Sequence, residues 1–140
     1  MSDNKVQAIK ALNKAQSEMQ DIIKTSEGYN YMYADLHNVM EAVIPALSKN
    51  GFAFIQPSGG DELGDYVETI LLHESGFSFK SRIYLLIGAK KDMQTLGSAM
   101  TYARRYGLLG MAGVAPIEDD DGKATVASFK NKSTQSKGDF

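Results

Sequence analysis

The segment from Gln94 to Val114 constrains the fold more than any other stretch of the 140-residue chain. Apolar and small residues recur in it at helical spacing, which predicts a long helix with one broad buried side. The predicted buried stripe consists of Leu96, Ala99, Met100, Ala103, Tyr106, Gly107 and Gly110, and the opposite arc carries Gly97, Ser98, Thr101, Arg104 and Arg105. Because each glycine costs a helix about 1 kcal/mol, the glycines indicate close packing of this helix against a sheet.

Two further amphipathic helices are predicted upstream. The first extends from about Asp3 to Lys24, with an apolar side formed by Ala8, Ile9, Leu12, Ala15, Met19, Ile22 and Ile23. The second extends from about Asp35 to Asn50, and Gly51 follows it as a left-handed cap. Pro45 lies inside the second pattern and predicts a kink or break near Ile44.

The region between the helices predicts extended structure. Alternating Tyr29, Tyr31 and Tyr33 indicate a short strand or arm. Strands are also predicted over residues 52–56, 65–73 and 77–86, with residues 57–60 as a flexible connection and Ser75-Gly76 as a two-residue hairpin loop. The expected fold class is therefore α+β, with an antiparallel sheet of three or more strands, including a β-hairpin, packed against helices.

A two-residue loop would fix which side chains share a face of the hairpin. It would pair Leu72 with Phe79 and Leu71 with Lys80. The predicted apolar face then contains Ile70, Leu72, Phe77, Phe79, Ile83 and Leu85, and the predicted polar face contains Thr69, Leu71, His73, Ser78, Lys80, Arg82 and Tyr84.

Composition excludes several classes of protein. The chain has no cysteine, which rules out disulfides and thiolate metal sites and suits a reducing compartment. No apolar run approaches the roughly 18 residues of a membrane span, and the N-terminus lacks the pattern of a secretory signal. We therefore expect a cytoplasmic protein with no membrane partner. His37 and His73 have no ligand-spaced partners, so no zinc site is expected.

Charge is unevenly distributed along the chain. The formal net charge is −2, so attraction of nucleic acid would require a local basic stripe. Residues 1–122 contain 11 basic and 16 acidic side chains, whereas residues 123–140 contain 4 lysines and 1 aspartate. The second segment has too little apolar content to fold alone. We expect one globular domain over residues 1–122 and a flexible, lysine-bearing polar tail over residues 123–140.

Cations beside aromatic rings suit single-stranded nucleic acid, which offers both phosphates and flat bases. The hairpin carries Lys80, Arg82 and Tyr84 on one predicted face, and the last helix adds Arg104 and Arg105. From spacing alone, a DNA contact fits the two arginines no better than a structural role on a solvated face or in ion pairs with Glu or Asp. No nucleophile has an identifiable general base beside it in sequence, so the residues favour binding over catalysis, with no catalytic residue and no cofactor.

Two other functions stay open on the residues alone. The acidic run Glu118–Asp121 would suit a Mg²⁺-dependent nuclease, because magnesium prefers carboxylate oxygens. Consecutive carboxylates in a loop rarely converge on one ion, which favours a solvated turn and no metal site. The chain could also be a structural oligomer that does not bind DNA. Cleavage of DNA with Mg²⁺ would identify the first, and a complete lack of single-strand affinity at low salt would identify the second.

The block Gly97–Tyr106 and the run Glu118–Gly122 resemble the signature of the ERF (essential recombination function) family of phage-type single-strand annealing proteins. Tyr31–Leu36, Leu72–Gly76 and Gln94 also match, in family order. Together the matches extend from about Tyr29 to Gly122 and are highly specific. Tyr102 and Tyr106 lie in the matching block, and Tyr106 is expected in the core because it falls on the apolar stripe.

The resemblance implies ATP-independent binding and annealing of complementary single strands in phage homologous recombination and DNA repair, by a homo-oligomeric ring or filament. It also implies a fold similar to that of the eukaryotic ring-forming annealing protein. The implied partners are single-stranded DNA, further copies of the chain, and a phage exonuclease or single-strand-binding protein in the cytoplasm of a bacterial host.

The resemblance further implies a DNA groove lined by the hairpin and the last helix. Carried over position by position, the groove contains Lys80 and Arg82 on the hairpin and Arg104 and Arg105 on the helix. The full predicted DNA-binding set is Lys80, Arg82, Tyr84, Ser98, Thr101, Arg104 and Arg105.

Overall fold

The computed structural model describes residues 2–22, 26–28, 31–33, 35–89 and 92–115. In these ranges the elements are α1 (Ser2–Glu18), β1 (Ser26–Gly28), β2 (Tyr31–Tyr33), α2 (Leu36–Lys49), β3 (Phe52–Ile55), β4 (Ser58–Asp61), β5 (Gly64–His73), β6 (Ser78–Tyr84) and α3 (Met93–Ala112). β1 and β2 form a small antiparallel ribbon, and β3 to β6 form a four-stranded antiparallel sheet packed against helices. The predicted α+β class is confirmed.

β5 is the central strand of the sheet. β6 pairs along one edge of it, and β3 and β4 pair in succession along the other edge. β4 was predicted as a flexible connection, and that prediction is wrong. Gly59 lies opposite Tyr66, where a Cβ would collide with the tyrosine ring, so this glycine makes room for a neighbour in the sheet. Pro57, which has no N–H to donate to a ladder, lies at the interruption between β3 and β4.

The β5–β6 hairpin has a register one residue away from the predicted one. Leu71 pairs with Phe79, and Ile70 pairs with Lys80. The His73 N–H donates to the Phe77 carbonyl at 3.0 Å, which leaves a three-residue loop, and Gly76 in that loop has a φ of +101°. Three-residue hairpin loops commonly place a glycine in such a left-handed conformation.

A one-residue shift turns every side chain of a strand to the other face of the sheet. The predicted faces of β5 are therefore wrong, whereas those of β6 are retained. The inner face, towards the helices, contains Val67, Thr69, Leu71, His73, Phe79 and Ile83, and the outer face contains Tyr66, Glu68, Ile70, Leu72, Ser78, Lys80, Arg82 and Tyr84. The core between the inner face and the helices is built around Ala15, Ile22, Val39, Val43, Leu47, Phe52, Leu71, Leu108 and Ala112.

α2 begins and ends as the sequence indicates. The Asp35 side chain accepts from the Asn38 N–H at 2.9 Å and caps the first turn. Gly51 follows the helix with a φ of +83°, which confirms the predicted cap. The predicted break near Ile44 does not occur, because α2 continues through Pro45. Pro45 is exposed, so water can satisfy the carbonyl that lacks its usual N–H partner.

α1 is shorter than predicted and ends at Glu18. Ile22 beyond it is nevertheless buried, while Ile9, predicted on the apolar side, is about half-exposed. The strand predicted around the tyrosines is confirmed by β2, and Tyr29 lies outside the described residues.

α3 is held between the inner face of the sheet and α2. The Asp92 side chain caps it by accepting from the Thr95 N–H at 2.8 Å, and Gly113 ends it with a φ of +74°. A side chain at position 107 would collide with Thr69 Oγ1, so close backbone approach is confirmed at Gly107. It is wrong for Gly97 and Gly110, since a Cβ there would meet nothing within 4 Å.

Candidate nucleic-acid interface

The structure places the predicted DNA-binding residues on two separate surfaces. Lys80, Arg82 and Tyr84 lie on the outer face of the sheet. The residues of α3 lie beyond the inner face, against which α3 packs. A sheet separates the two sets, so they do not line one groove within a single chain.

On the outer face, Arg82 is paired with acidic side chains. Its Nη1 lies 3.2 Å from Asp61 Oδ2, and its Nε lies 3.3 Å from Glu68 Oε2. The guanidinium also lies over the Tyr66 ring, with Cζ 4.1 Å from the ring centre. We call the outer-face group of Asp61, Tyr66, Glu68, Lys80, Arg82 and Tyr84 the hairpin surface. Two carboxylates match its two cations, so its net charge is close to zero.

Tyr84 completes this cluster. Its hydroxyl donates to Asp61 Oδ2 at 2.8 Å, and its ring meets Tyr66 edge to face with 5.6 Å between ring centres. The Tyr84 hydroxyl, the Leu63 N–H and the Arg82 charge together hold the pKa of Asp61 below its ordinary value of 3.8. Asp61 is therefore ionised at neutral pH and keeps Arg82 occupied. Lys80 is exposed and makes no ion pair within the residues that the structure describes.

On α3, two tyrosines stand exposed on one side of the helix. Tyr102 and Tyr106 are 51% and 48% exposed, and their rings are nearly parallel, with 6.2 Å between centres and 23° between planes. Residues four apart on a helix face the same way, which brings the two rings together. The prediction that Tyr106 is buried in the core is wrong, because the sheet and α2 occupy two other sides of the helix. We call the group of Ser98, Thr101, Tyr102, Arg105 and Tyr106 the helix surface; Arg104, two residues from each tyrosine, projects from the other side of α3.

Arg105 lies beneath the two tyrosine rings. Its Cζ is 5.0 Å from the centre of the Tyr102 ring and 5.1 Å from that of Tyr106, and its Nη2 donates to the Tyr106 hydroxyl at 3.4 Å. Only 9% of Arg105 is exposed. Cation–π contacts of this kind are stabilising, more so when the cation is shielded from water. Arg105 therefore holds the tyrosine pair in place rather than standing free in solvent.

Arg104 differs from its neighbour. It is half-buried, and its side chain makes no hydrogen bond or ion pair in the described part of the chain. Its backbone carbonyl accepts from Gln56 Nε2 at 2.9 Å, and the same nitrogen donates to Thr69 Oγ1 at 2.9 Å. Gln56 thus joins α3 to the sheet at the turn of helix that carries Arg104.

A cleft of about 520 Å³ runs beside the tyrosine pair, between α3 and the start of α2. The described residues lining it are Asp35, Leu36, Gln94, Gly97, Ser98, Thr101, Tyr102 and Arg105. Ser98 and Thr101 are exposed along it, and the Thr101 hydroxyl donates to the Gly97 carbonyl at 3.1 Å. α3 contributes two arginines and no acidic residue, and the start of α2 contributes the carboxylate of Asp35 to the cleft.

The DNA-binding set predicted from the sequence does not include Tyr102 or Tyr106. The four-residue spacing of Tyr102 and Tyr106 was the available signal, since it predicts adjacent rings whichever side of the helix is exposed. Tyr66 was also missed, because the wrong register had turned it away from Arg82 and Tyr84.

The family model of the ERF superfamily matches residues 8–139 of the chain. The chain belongs to the ERF superfamily. Membership confirms the resemblance drawn from the sequence and indicates a role related to phage-type recombination and single-strand annealing. Neither the curated proteins nor the solved structures contain a significant match to it.

Two kinds of feature are absent from the described residues. Across the described ranges, no cluster of three or more His, Asp or Glu side chains is arranged to hold a metal ion. No described helix is both long and apolar enough to cross a membrane. The acidic run Glu118–Asp121 and the predicted domain boundary at residue 122 lie outside the described residues.

Proposed function

We propose that this ERF-superfamily chain binds single-stranded DNA through its helix surface and anneals complementary strands without ATP, as a homo-oligomer in phage recombination. Family membership supports the annealing role. The observation that carries the assignment to α3 is the exposed, parallel pair of Tyr102 and Tyr106 on a helix that has two arginines and no carboxylate.

Tyrosine rings exposed in pairs are suited to unpaired bases. Every base has a flat π-face, so stacking on an aromatic ring is independent of sequence and contributes about 1–3 kcal/mol per base. Annealing requires this tolerance, because the protein must hold any strand while its bases test a partner. Duplex DNA hides those faces, which explains a preference for single strands.

The two arginines take different roles in this proposal. Arg104, which projects from the side of α3 away from the tyrosine rings, is assigned a phosphate contact outside the ring pair, which holds the strand without reading its sequence. Arg105, shielded by the rings, positions Tyr102 and Tyr106 and adds positive potential beneath them. Ser98 and Thr101 offer hydroxyls to phosphate or base edges along the adjacent cleft.

In this proposal the hairpin surface contributes less to DNA binding than the helix surface does. Arg82 is neutralised by Asp61 and Glu68, and Tyr84 is engaged with the same aspartate, so neither is positioned to attract phosphate strongly. Lys80 is the hairpin residue that we assign to a DNA contact, since it is exposed and makes no ion pair within the described chain.

Self-assembly supplies the affinity that one chain lacks. The net charge of −2 gives no general attraction to DNA, and one helix surface offers only a few contacts. Repeating that surface along an oligomer makes later contacts intramolecular and raises overall affinity without new chemistry. No catalytic step and no cofactor are part of the proposal.

Fluorescence annealing tests the function directly. Complementary oligonucleotides carrying a dye and a quencher are mixed with the full chain, without ATP, and quenching should be faster than for DNA alone. A parallel sample with Mg²⁺ is run on a denaturing gel and should show intact strands. Unaccelerated pairing would contradict annealing, and shortened strands would favour a nuclease.

A further inference from the structure

A second cleft, of about 450 Å³, opens where β5 and α3 begin and β6 ends. The described residues that line it are Asp65, Leu85, Ile87, Asp92, Met93 and Leu96. It combines an apolar interior with two carboxylates. It lies apart from the helix surface, with which it shares no lining residue. We call it the end cleft.

Apolar side chains around the end cleft are unusually exposed. Met93, in its lining, is 79% exposed, and Leu86, adjacent in sequence to two lining residues, is 93% exposed. Leu63, in the turn before β5, is also largely exposed. Clustered exposure of large aliphatic side chains is costly in water and marks interaction sites.

α1 carries a complementary stripe. Its inner side buries Ala8 and Ala15, while Val6 and Ile9 on its outer side are about half-exposed. Lys5 and Lys10, beside these two residues, are exposed as well. Apolar side chains three apart, flanked by lysines, form a short helical face of the kind that docks into an apolar groove.

The two features lie at opposite ends of the molecule. α1 is tied to the hairpin turn, where Ser75 Oγ donates to the Asn4 carbonyl at 3.0 Å, and to the end of α3, where Gln16 Nε2 donates to the Ala112 carbonyl at 3.0 Å. The end cleft lies at the other ends of β5 and α3. β5 alone separates its two ends by roughly 25–30 Å, at about 3.3 Å per residue. α1 therefore cannot fill the end cleft of its own chain.

We propose that α1 of one copy docks through Val6 and Ile9 into the end cleft of the next copy. The inference rests on the self-assembly within the proposed function and names its interface. Lys5 and Lys10 then approach the exposed carboxylate of Asp65 in the lining, so charge as well as apolar area is complementary. Because the joined surfaces differ, the contact is head-to-tail and generates a ring or an open filament rather than a symmetric dimer.

Two variants separate the halves of this interface. Val6→Glu with Ile9→Glu disables the α1 stripe, and Met93→Glu disables the end cleft; all three positions are exposed and helical, so the chain should still fold. Ile55→Glu on the outer face of the sheet is the matched control, since Ile55 is 49% exposed and Ile9 is 48% exposed. Mass is measured by light scattering, and folding by circular dichroism.

The native chain and the control should form large assemblies, while each disabled variant should have the 15.3 kDa mass of one chain. An equimolar mixture of the two disabled variants should form a dimer and nothing larger, because one intact stripe can still enter one intact cleft. That result also shows that both variants are folded. Undiminished assembly of either variant, a monomeric native chain, or a mixture that stays monomeric would overturn the docking. The annealing assay reports separately on DNA handling: a variant that still assembles overturns only this interface, whereas a monomeric native chain would also remove the homo-oligomer from the proposed function.

Discussion

The hairpin surface and the helix surface contain the same ingredients arranged in opposite ways. Each has a pair of contacting tyrosines and an arginine against their rings. On the hairpin, Arg82 is also bound by two carboxylates from neighbouring strands. On α3, the helix supplies no carboxylate, and the tyrosine rings are about half-exposed.

The difference shows that a count of cations and rings does not identify a nucleic-acid surface. Cross-strand neighbours on a sheet are fixed by register, and here the register sets Glu68 opposite Arg82. A helix presents neighbours from its own sequence, and the sequence of α3 contains no acidic residue. α3 therefore adds positive charge without a carboxylate of its own, whereas on the hairpin the charge of Arg82 is balanced by Asp61 and Glu68.

Removing each tyrosine pair in turn should give the largest difference in DNA affinity between the two surfaces. Tyr102→Ala with Tyr106→Ala should weaken binding of a single-stranded oligonucleotide at least about 30-fold, because two stacking contacts of about 1–3 kcal/mol each are lost and every 1.4 kcal/mol is about tenfold. Fluorescence anisotropy with a labelled oligonucleotide measures the affinity.

Tyr66→Ala with Tyr84→Ala is the matched control, since it deletes the same ring area from the hairpin surface. We expect its affinity to stay within a factor of about two or three of native, with some loss of stability. If the control loses affinity and the α3 variant keeps it, the DNA surface has been assigned to the wrong side of the molecule.

Neutralising one arginine of α3 and one of the hairpin surface should give a smaller difference, which is visible in the salt dependence of DNA affinity. Arg104→Gln should lower the slope of log affinity against log salt by about 0.7, the value for one single-strand phosphate contact. Arg82→Gln deletes the same charge from a paired cluster and should leave the slope unchanged. Affinity is titrated at several salt concentrations for both variants, and equal changes in slope would remove the distinction between the surfaces.

The smallest expected effect tests whether the hairpin cluster is an internal ion network. The pKa of Asp61 is lowered in the folded chain, chiefly by the Tyr84 hydroxyl, so its contribution to stability is present above pH 3.8 and is lost as pH falls through the lowered value. Tyr84→Phe should therefore reduce the free energy of unfolding at about pH 6, and the difference from native should shrink towards about pH 2.5.

Denaturant unfolding at the two pH values measures this difference. Tyr66→Phe is the control, because it removes a hydroxyl that has no hydrogen-bond partner among the described residues. A Tyr84→Phe deficit of the same size at both pH values would show that the hydroxyl does not act through the charge of Asp61.

Features encoded by neighbouring residues could be predicted from the sequence. The helices α2 and α3, the cap at Gly51 and the existence of the β5–β6 hairpin depend on such residues, and the structure confirms them. β4 was not predictable in this way, because its Ser-Gly-Gly sequence is typical of a loop and becomes a strand only by pairing with β5. The length of the hairpin loop could not be predicted from the local sequence either, because two- and three-residue loops both accommodate Ser75 and Gly76.

The candidate site likewise has features that the sequence predicts and features that it does not. The motif in α3 identified the family, which the match over residues 8–139 confirms, and it directed attention to the residues of that helix. It did not show that Tyr106 is exposed, that Arg105 lies beneath two rings, or that Arg82 is neutralised. Each of these depends on which elements pack against α3 and β6. A helical wheel cannot show that α3 packs against both the sheet and α2.

By itself, the sequence determined the class of fold, the position of the helices and the superfamily, because periodicity, caps and motifs are properties of short segments. Only the tertiary structure decided which cations remain available and which rings face solvent. Charge pairing and burial depend on residues far apart in the chain: Asp61 reaches Arg82 from another strand, and Thr69 meets Gly107 across the gap between sheet and helix. Such neighbours exist only once the chain has folded.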